Sequence, residues 1–267
     1  MQMEYQNRLG QPPVLYHYCH QGTLCKILRS RVLHATDALN AKDKDELVYA
    51  RNVVGPITDE QVRGRQKYYI KLDPDVARVR ELFGEFETYI ACLSANETIP
   101  SQWECYGEEG YGWAIGFDLK AIANLSRVGT FLGPFPLVYD RGTQDQHIRR
   151  FLTKATSIRN RIPKRERVEL GGIANRELFA LWIALKDPQF WKEEEWRLLV
   201  IQNDQVKSYQ TEHDEGRRYI KLSVCTQETI VEVVIGPRNE LTEEFVRQAL
   251  VEAGLPCVRV RRSEVAL

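Results

Sequence analysis

Short runs of apolar residues predict most of the strands in this chain. Over residues 14–18 the positions alternate, so that His17 lies on one face of the predicted strand and Tyr16 and Tyr18 lie on the other. Later runs are continuously apolar and rich in branched side chains, which is typical of buried strands. They predict further strands over residues 32–36, 89–94, 113–117, 196–201, 230–236 and 257–261.

Apolar stripes at the helical interval predict helices between these strands. A short helix over residues 101–107 would place Trp103 and Tyr106 on one face. The longest helical region spans about 144–187, and no linker rich in Gly, Ser or Pro flanks it. Residues 1–267 are therefore predicted to form a single α+β domain, with a helical insert at about 144–187 and peripheral helices.

Charge and composition limit the classes of partner that we expect for this protein. The 37 basic and 37 acidic residues cancel, so a nucleic-acid partner is not supported by net charge and would need a local basic patch. The N-terminus lacks the apolar core of a signal peptide, and no apolar run approaches membrane-spanning length. We therefore expect a cytoplasmic protein with no membrane partner. His17, Cys19 and His20 lack a second ligand cluster, so no metal site is expected.

The acidic run before the strand at 196–201 is the first candidate for chemistry. Strand alternation would send Glu193 and Glu195 to one side and Glu194 to the other. Two carboxylates that repel each other beside aromatic rings would have raised pKa values, which suits acid, base or hydroxyl-orienting work. The alternative is a solvated acidic turn that Lys192 and Arg197 balance.

His17 and a polar stretch at 40–46 are further candidates. The imidazole of His17, between two tyrosines, would either position a substrate hydroxyl or satisfy a core hydrogen bond. The polar stretch contains Asp43 and Asp45, which together with Glu193 and Glu195 would suit a divalent ion. A metal-dependent nuclease or hydrolase is thus one alternative function.

The order of the motifs resembles a family of largely bacterial proteins known as domain of unknown function 2971. Five short motifs occur in sequence along most of the chain. They are the opening 15–18 (Leu-Tyr-His-Tyr), the strand end at Ser94 with Trp103-x-x-Tyr106-Gly107, the strand 112–117, the late Trp191-x-Glu193-x-Glu195-Trp196-Arg197, and Ile235-Gly236. This resemblance gives a family without a reaction.

A fainter similarity is to ADP-ribosyltransferases of the His-Tyr-Glu type. It implies a mixed, mostly antiparallel central sheet of the ADP-ribosyltransferase kind, with NAD as a substrate and no bound cofactor. His17 would bind the nicotinamide ribose, Tyr106 would stack on the nicotinamide ring, and Glu195 would hold the ribose 2′-hydroxyl or orient the acceptor. Glu193 would tune Glu195. The substrate-binding set would also include Tyr16, Tyr18, Ser94, Trp103 and Arg197.

The similarity further implies transfer of ADP-ribose to an unidentified acceptor, nucleic acid or protein, and a role of the toxin or phage-defence kind in bacteria. Besides the metal-dependent hydrolase, the other alternative is a non-catalytic module that keeps the fold and binds a nucleotide or a partner.

Overall fold

The computed structural model describes residues 12–38, 49–50, 52–54, 87–128, 131–161, 163, 177, 180–203, 207–214 and 216–267. The polar stretch at 40–46, with Asp43 and Asp45, lies outside the described residues, as does much of the second half of the predicted insert. Within the described residues, no helix is long and apolar enough to cross a membrane.

The strands form one sheet of ten. They are β1 (Val14–Cys19), β2 (Leu33–Asp37), β3 (Glu87–Ser94), β4 (Trp113–Asp118), β5 (Leu132–Pro136), β6 (Glu195–Gln202), β7 (Glu212–Asp214), β8 (Arg217–Leu222), β9 (Ile230–Ile235) and β10 (Arg259–Arg262). Their order is β10-β9-β4-β1-β3-β2-β8-β7, and β6 pairs with β3 and β5. Every described pairing between these strands is antiparallel except β9 with β10. The predicted α+β class with a mostly antiparallel sheet is thus confirmed.

Five helices have both ends within the described residues. They are α1 (Gln21–Ser30), α2 (Pro100–Cys105), α3 (Leu119–Val128), α4 (Arg141–Arg161) and α5 (Glu243–Glu252). The Thr242 hydroxyl caps α5 by accepting a hydrogen bond from the Phe245 N–H. The start of α4 agrees with the start of the predicted insert, and the insert as a whole stays a prediction.

Different helices and side chains pack against the two faces of the sheet. Leu24 and Leu28 of α1 and Val246 of α5 pack with Trp196 and Leu198 in the main core, on one face. Side chains alternate along β6, so Glu195 and Arg197 lie on the other face. There α2 packs through Trp103, and Ile183 packs against Leu199. The acidic run is therefore on the face opposite the main core.

Strand β3 is shared by two neighbours along one edge. It pairs with β6 along its whole length, which fills its first edge. Its second edge pairs with β1 at Ser94 and with β2 at Tyr89 and Ile90. Between these two pairings a gap separates β1 from β2, and the backbone of Cys92 borders it. The imidazole of His17 reaches this gap, where its Nδ1 lies 3.1 Å from the Cys92 carbonyl oxygen.

Candidate functional site

A left-handed residue brings the two carboxylates together. The 3-10 helix Pro188–Glu193 ends immediately before Glu194, whose φ is 46°. Strand β6 begins at the next residue, Glu195. The reversal at Glu194 lets both neighbours turn toward one cation, with Lys186 Nζ 2.5 Å from Glu193 Oε2 and 2.6 Å from Glu195 Oε2. The prediction that Glu193 and Glu195 share a side is therefore confirmed, through a turn rather than through strand alternation.

The charges form a closed cluster, which we call the Glu195 cluster: Lys186, Glu193, Glu195 and Arg197. Arg197 Nε donates to Glu195 Oε1 at 2.6 Å, so each oxygen of Glu195 has its own cation. Arg197 Nη1 also donates to the Ile183 carbonyl at 2.8 Å. Glu195, Lys186 and Arg197 are only 7%, 4% and 4% exposed. Glu195 is thus not part of a solvated turn, although Glu194 beside it is exposed.

The predicted direction of the pKa shift is wrong for Glu195. Burial alone would raise the pKa of this carboxyl, but the nearby charges and hydrogen bonds of Arg197 and Lys186 outweigh it and lower the pKa to about 2. The prediction included the repulsion between Glu193 and Glu195 but not the attraction of Lys186, which lies between the two carboxylates. Glu195 is therefore a permanent anion rather than a general acid or base at neutral pH.

This shift predicts a pH dependence of stability. The pKa of Glu195 is lower in the folded chain (about 2) than the ordinary value of 4.5, so its stabilisation is complete above pH 4.5 and is lost as the pH falls toward 2. The loss should amount to roughly 3 kcal/mol. Urea unfolding between pH 6 and pH 3 should show a steeper decline for the wild type than for Glu195→Gln. Parallel declines of the two proteins would contradict the lowered pKa of Glu195.

Ser94 and Tyr18 support the loop that faces the Glu195 cluster. The Ser94 hydroxyl lies 2.9 Å from the Glu193 carbonyl and 3.1 Å from the Asn96 carbonyl, either of which accepts its proton. The Tyr18 hydroxyl donates to the same Asn96 carbonyl at 2.9 Å. Trp103 is fully buried and meets Tyr18 edge to face at 5.0 Å. These three residues are brought to one side of the sheet, with their described contacts inside the protein.

Tyr106 lies at the exposed rim of the site. It follows the last residue of α2 and is 48% exposed. Partial burial raises the pKa of its phenol to about 12, and the negative charges of Glu193 and Glu195 contribute. The phenol is therefore neutral and close enough to the Glu195 cluster to feel its carboxylates. A ring in this position is available for stacking against a planar ligand.

The structure does not place His17 beside Glu195. His17 shares its face of β1 with Leu15 and Cys19, which belong to the main core, whereas Ser94 and Glu195 are paired on the other face. Desolvation lowers the pKa of the imidazole, so the ring is neutral at pH 7. A neutral ring facing a carbonyl must carry its proton on Nδ1, which donates to Cys92. His17 thus fills the strand gap.

Tyr16 belongs to a separate cluster. Its hydroxyl donates to Glu232 Oε1 at 2.5 Å, and the other oxygen of Glu232 accepts from Arg259 and Arg261 at 2.7 and 3.1 Å. Burial and the Glu232 hydrogen bond raise the pKa of Tyr16. Arg261 also donates to Glu97 at 2.6 Å, so these charges tie β10 to the sheet. The described hydrogen bond of Tyr16 is made to this network, and its ring packs against the group that includes Tyr18 and Trp103.

Sequence reasoning missed two members of the site. Lys186 is the cation between the carboxylates, and the Tyr139 hydroxyl accepts a hydrogen bond from the Glu195 backbone N–H at 3.0 Å. Lys186 comes just before Asp187 and Pro188, which cap and start the 3-10 helix leading to Glu193. The signal that could have identified Lys186 is a basic residue immediately before the start of a short helix that ends in an acidic run. Tyr139 leaves no such signal.

The described carboxylates do not support the alternative of a metal-dependent hydrolase. Glu193 and Glu195 are held by Lys186, and among the described residues no group of three or more His, Cys, Asp or Glu side chains is placed to hold a metal ion. The other two predicted ligands, Asp43 and Asp45, lie outside the described residues.

Comparison with known proteins gives one match. Residues 102–198 match the model of the family described as Protein of unknown function (DUF2971). This segment contains Tyr106, Tyr139 and the whole Glu195 cluster. No curated protein and no solved structure matches the chain significantly. The predicted resemblance to this family is thus confirmed over residues 102–198, the segment that builds this site.

Proposed function

We propose that the chain is an NAD-consuming enzyme of the ADP-ribosyltransferase type, which cleaves the bond between nicotinamide and ribose. The observation that carries the proposal is the state of Glu195, a carboxylate held ionised in a nearly dry position within the electrostatic reach of a half-exposed tyrosine. A fixed anion beside an aromatic ring suits a reaction that develops positive charge next to a planar leaving group. The similarity of motif order to the His-Tyr-Glu enzymes supports the same choice through Tyr106 and Glu195 alone, because His17 lies on the opposite face of the sheet.

The chemistry assigns a role to each group. The bond between C1′ of the ribose and the nicotinamide nitrogen breaks, and the nicotinamide leaves with the electron pair as a neutral base. The oxocarbenium-like ribose that remains is stabilised by the Glu195 carboxylate, as in glycoside hydrolysis. The acceptor then forms its bond to C1′ and releases a proton to water. Tyr106 would stack on the nicotinamide ring while it departs.

Glu195 keeps capacity for a substrate hydroxyl. An ionised carboxylate has about four acceptor positions, and the cations of Arg197 and Lys186 occupy one on each oxygen. In the proposed reaction, the ribose 2′-hydroxyl donates to one of the remaining positions, and both cations stay in place. Because His17 lies at the strand gap, we assign it a structural role, which is to join β1 to β3, rather than a contact with the ribose.

The proposal predicts that purified protein releases nicotinamide from NAD and that Glu195→Gln reduces the rate by roughly a hundredfold or more, the range found when one group that stabilises transition-state charge is lost. Chromatography of the products measures the release. Glu194→Gln is the matched control, because Glu194 is an adjacent, exposed carboxylate and should keep the wild-type rate.

A second variant guards against a folding defect in Glu195→Gln. Tyr106 is half-exposed, so Tyr106→Ala should stay folded and should lower kcat/KM at least tenfold. If wild-type protein neither releases nicotinamide nor transfers label from NAD to protein, DNA or RNA, the proposal is overturned.

One observation favours the second candidate, a non-catalytic binding module. Both oxygens of Glu195 already have buried cationic partners, an arrangement that also serves to stabilise a fold. Such a module would be stabilised by a nucleotide in a thermal shift assay without turning it over.

A further inference from the structure

A buried glutamine lies behind the Glu195 cluster. Gln144, in the first turn of α4, is fully buried. Its Nε2 donates to the Val138 carbonyl at 2.6 Å and to the Lys186 carbonyl at 2.8 Å. Its Oε1 accepts a hydrogen bond from the Tyr49 hydroxyl at 2.8 Å. Both amide protons and the amide oxygen thus have partners, which fixes the orientation of the side chain.

The two carbonyls that Gln144 joins belong to the segments that build the site. The backbone N–H of Lys186 donates to Val138 O, and the N–H of Val138 donates to Ala184 O. The neighbours of Val138 reach Glu195 directly: the Leu137 N–H donates to the Glu195 carbonyl, and the Tyr139 hydroxyl accepts from the Glu195 N–H. Gln144 therefore joins the backbone of Lys186 to the segment 137–139, and this segment is in turn hydrogen-bonded to Glu195.

We propose that Gln144 is a positioning residue, which holds the Lys186 backbone so that the lysine ammonium meets both Glu193 and Glu195. Its effect on turnover rests on the proposed function. The reason is geometric: Lys186 precedes a 3-10 helix rather than lying inside a long element, and beside the isolated bridge between Val138 and Leu185 its carbonyl is held by the Gln144 amide. A buried amide with two donors directed at two carbonyls supplies that anchor.

The consequence concerns the ionisation of Glu195. The titratable groups that face this carboxylate are Lys186, Arg197, Glu193, Tyr139 and Tyr106. If the lysine is no longer held, Arg197 remains as a cation, while Glu193 loses its neutralising partner and repels Glu195. The pKa of Glu195 must then rise toward its ordinary value.

The test compares Gln144→Leu with Tyr49→Phe. The leucine variant removes both donors, whereas the phenylalanine variant removes only the hydrogen bond to Oε1 and leaves both donors in place. We expect the Glu195 titration, followed by carboxyl carbon NMR, to move up by at least one pH unit in Gln144→Leu and to stay in place in Tyr49→Phe. Nicotinamide release at pH 4 relative to pH 8 should fall in the leucine variant alone, by up to about fourfold if the pKa of Glu195 returns to its ordinary value of 4.5.

Each outcome separates the inference from the proposed function. A Glu195 titration unchanged in folded Gln144→Leu overturns the positioning role, whatever the activity. Absence of nicotinamide release by the wild type overturns the proposed function, while the NMR titration still decides the role of Gln144. If the leucine variant does not fold, Gln144→Asn serves instead, because its shorter side chain cannot reach both carbonyls, and the same upward shift is expected.

Discussion

Lys186→Met should lower the free energy of unfolding at pH 7 by about 3–5 kcal/mol, because removing one partner of a buried charge pair leaves the other without compensation. The ammonium group of Lys186 lies between two carboxylates at 2.5 and 2.6 Å, in a residue that is 4% exposed. Methionine keeps the length and much of the volume, so the change is mainly one of charge. Urea denaturation monitored by tryptophan fluorescence measures the loss.

The matched control for this variant is Lys154→Met. Lys154 is an exposed lysine of α4, where the same substitution should change stability by less than about 0.5 kcal/mol. Equal stabilities of the two methionine variants would show that Lys186 does not bear the charge of a buried cluster. Because Glu193 and Glu195 then repel each other, the loss in Lys186→Met should shrink at pH 4, where part of that charge is neutralised.

Gly112→Ala should be destabilising by roughly 3 kcal/mol or more, the upper end of what overpacking costs. A Cβ at this position would lie well inside contact distance of the Cys19 carbonyl oxygen and 2.9 Å from the Gly107 carbonyl oxygen. The backbone has no room to withdraw, because the Gly112 N–H donates to Gly107 O at 2.8 Å and its carbonyl accepts from the Gly236 N–H at 3.0 Å. Thermal unfolding by circular dichroism gives the comparison.

Gly22→Ala should have the opposite effect on the stability of the protein. Gly22 lies in the first turn of α1, and a Cβ there would meet nothing within 4 Å. Alanine should stabilise the chain by about 0.5–1 kcal/mol, since it removes the conformational entropy of glycine. If Gly112→Ala melted at the same temperature as Gly22→Ala, the close approach of the loop before β4 to the end of β1 would be refuted.

The clearest strands in the sequence are the continuously apolar ones, such as β6 and β9, whose side chains are buried on both faces. Every residue of β6 is buried, and five of the six in β9 are. The missed strands lack this signal. β7 consists of Glu212, His213 and Asp214 at the end of the sheet, and β5 contains two prolines. Charged and proline-containing strands suit sheet edges, where a repeating apolar pattern is not required.

The site was predictable only where its residues are close in sequence. Glu193 and Glu195 are two residues apart, so local periodicity sufficed to place them together. Lys186 and Tyr139 reach Glu195 through the 3-10 helix and through the segment before α4, which no local pattern encodes. The predicted shared face of Trp103 and Tyr106 also fails: α2 ends at Cys105, and Tyr106 turns outward while Trp103 is buried.

The edge of β3 that β1 and β2 share is interrupted between its two pairings. These pairings lie at Ser94 and at Tyr89 and Ile90, and His17 donates a hydrogen bond across the gap to the Cys92 carbonyl. Because β6 pairs with β3 along the whole of its other edge, the interruption leaves the strand pair that carries Glu195 continuous.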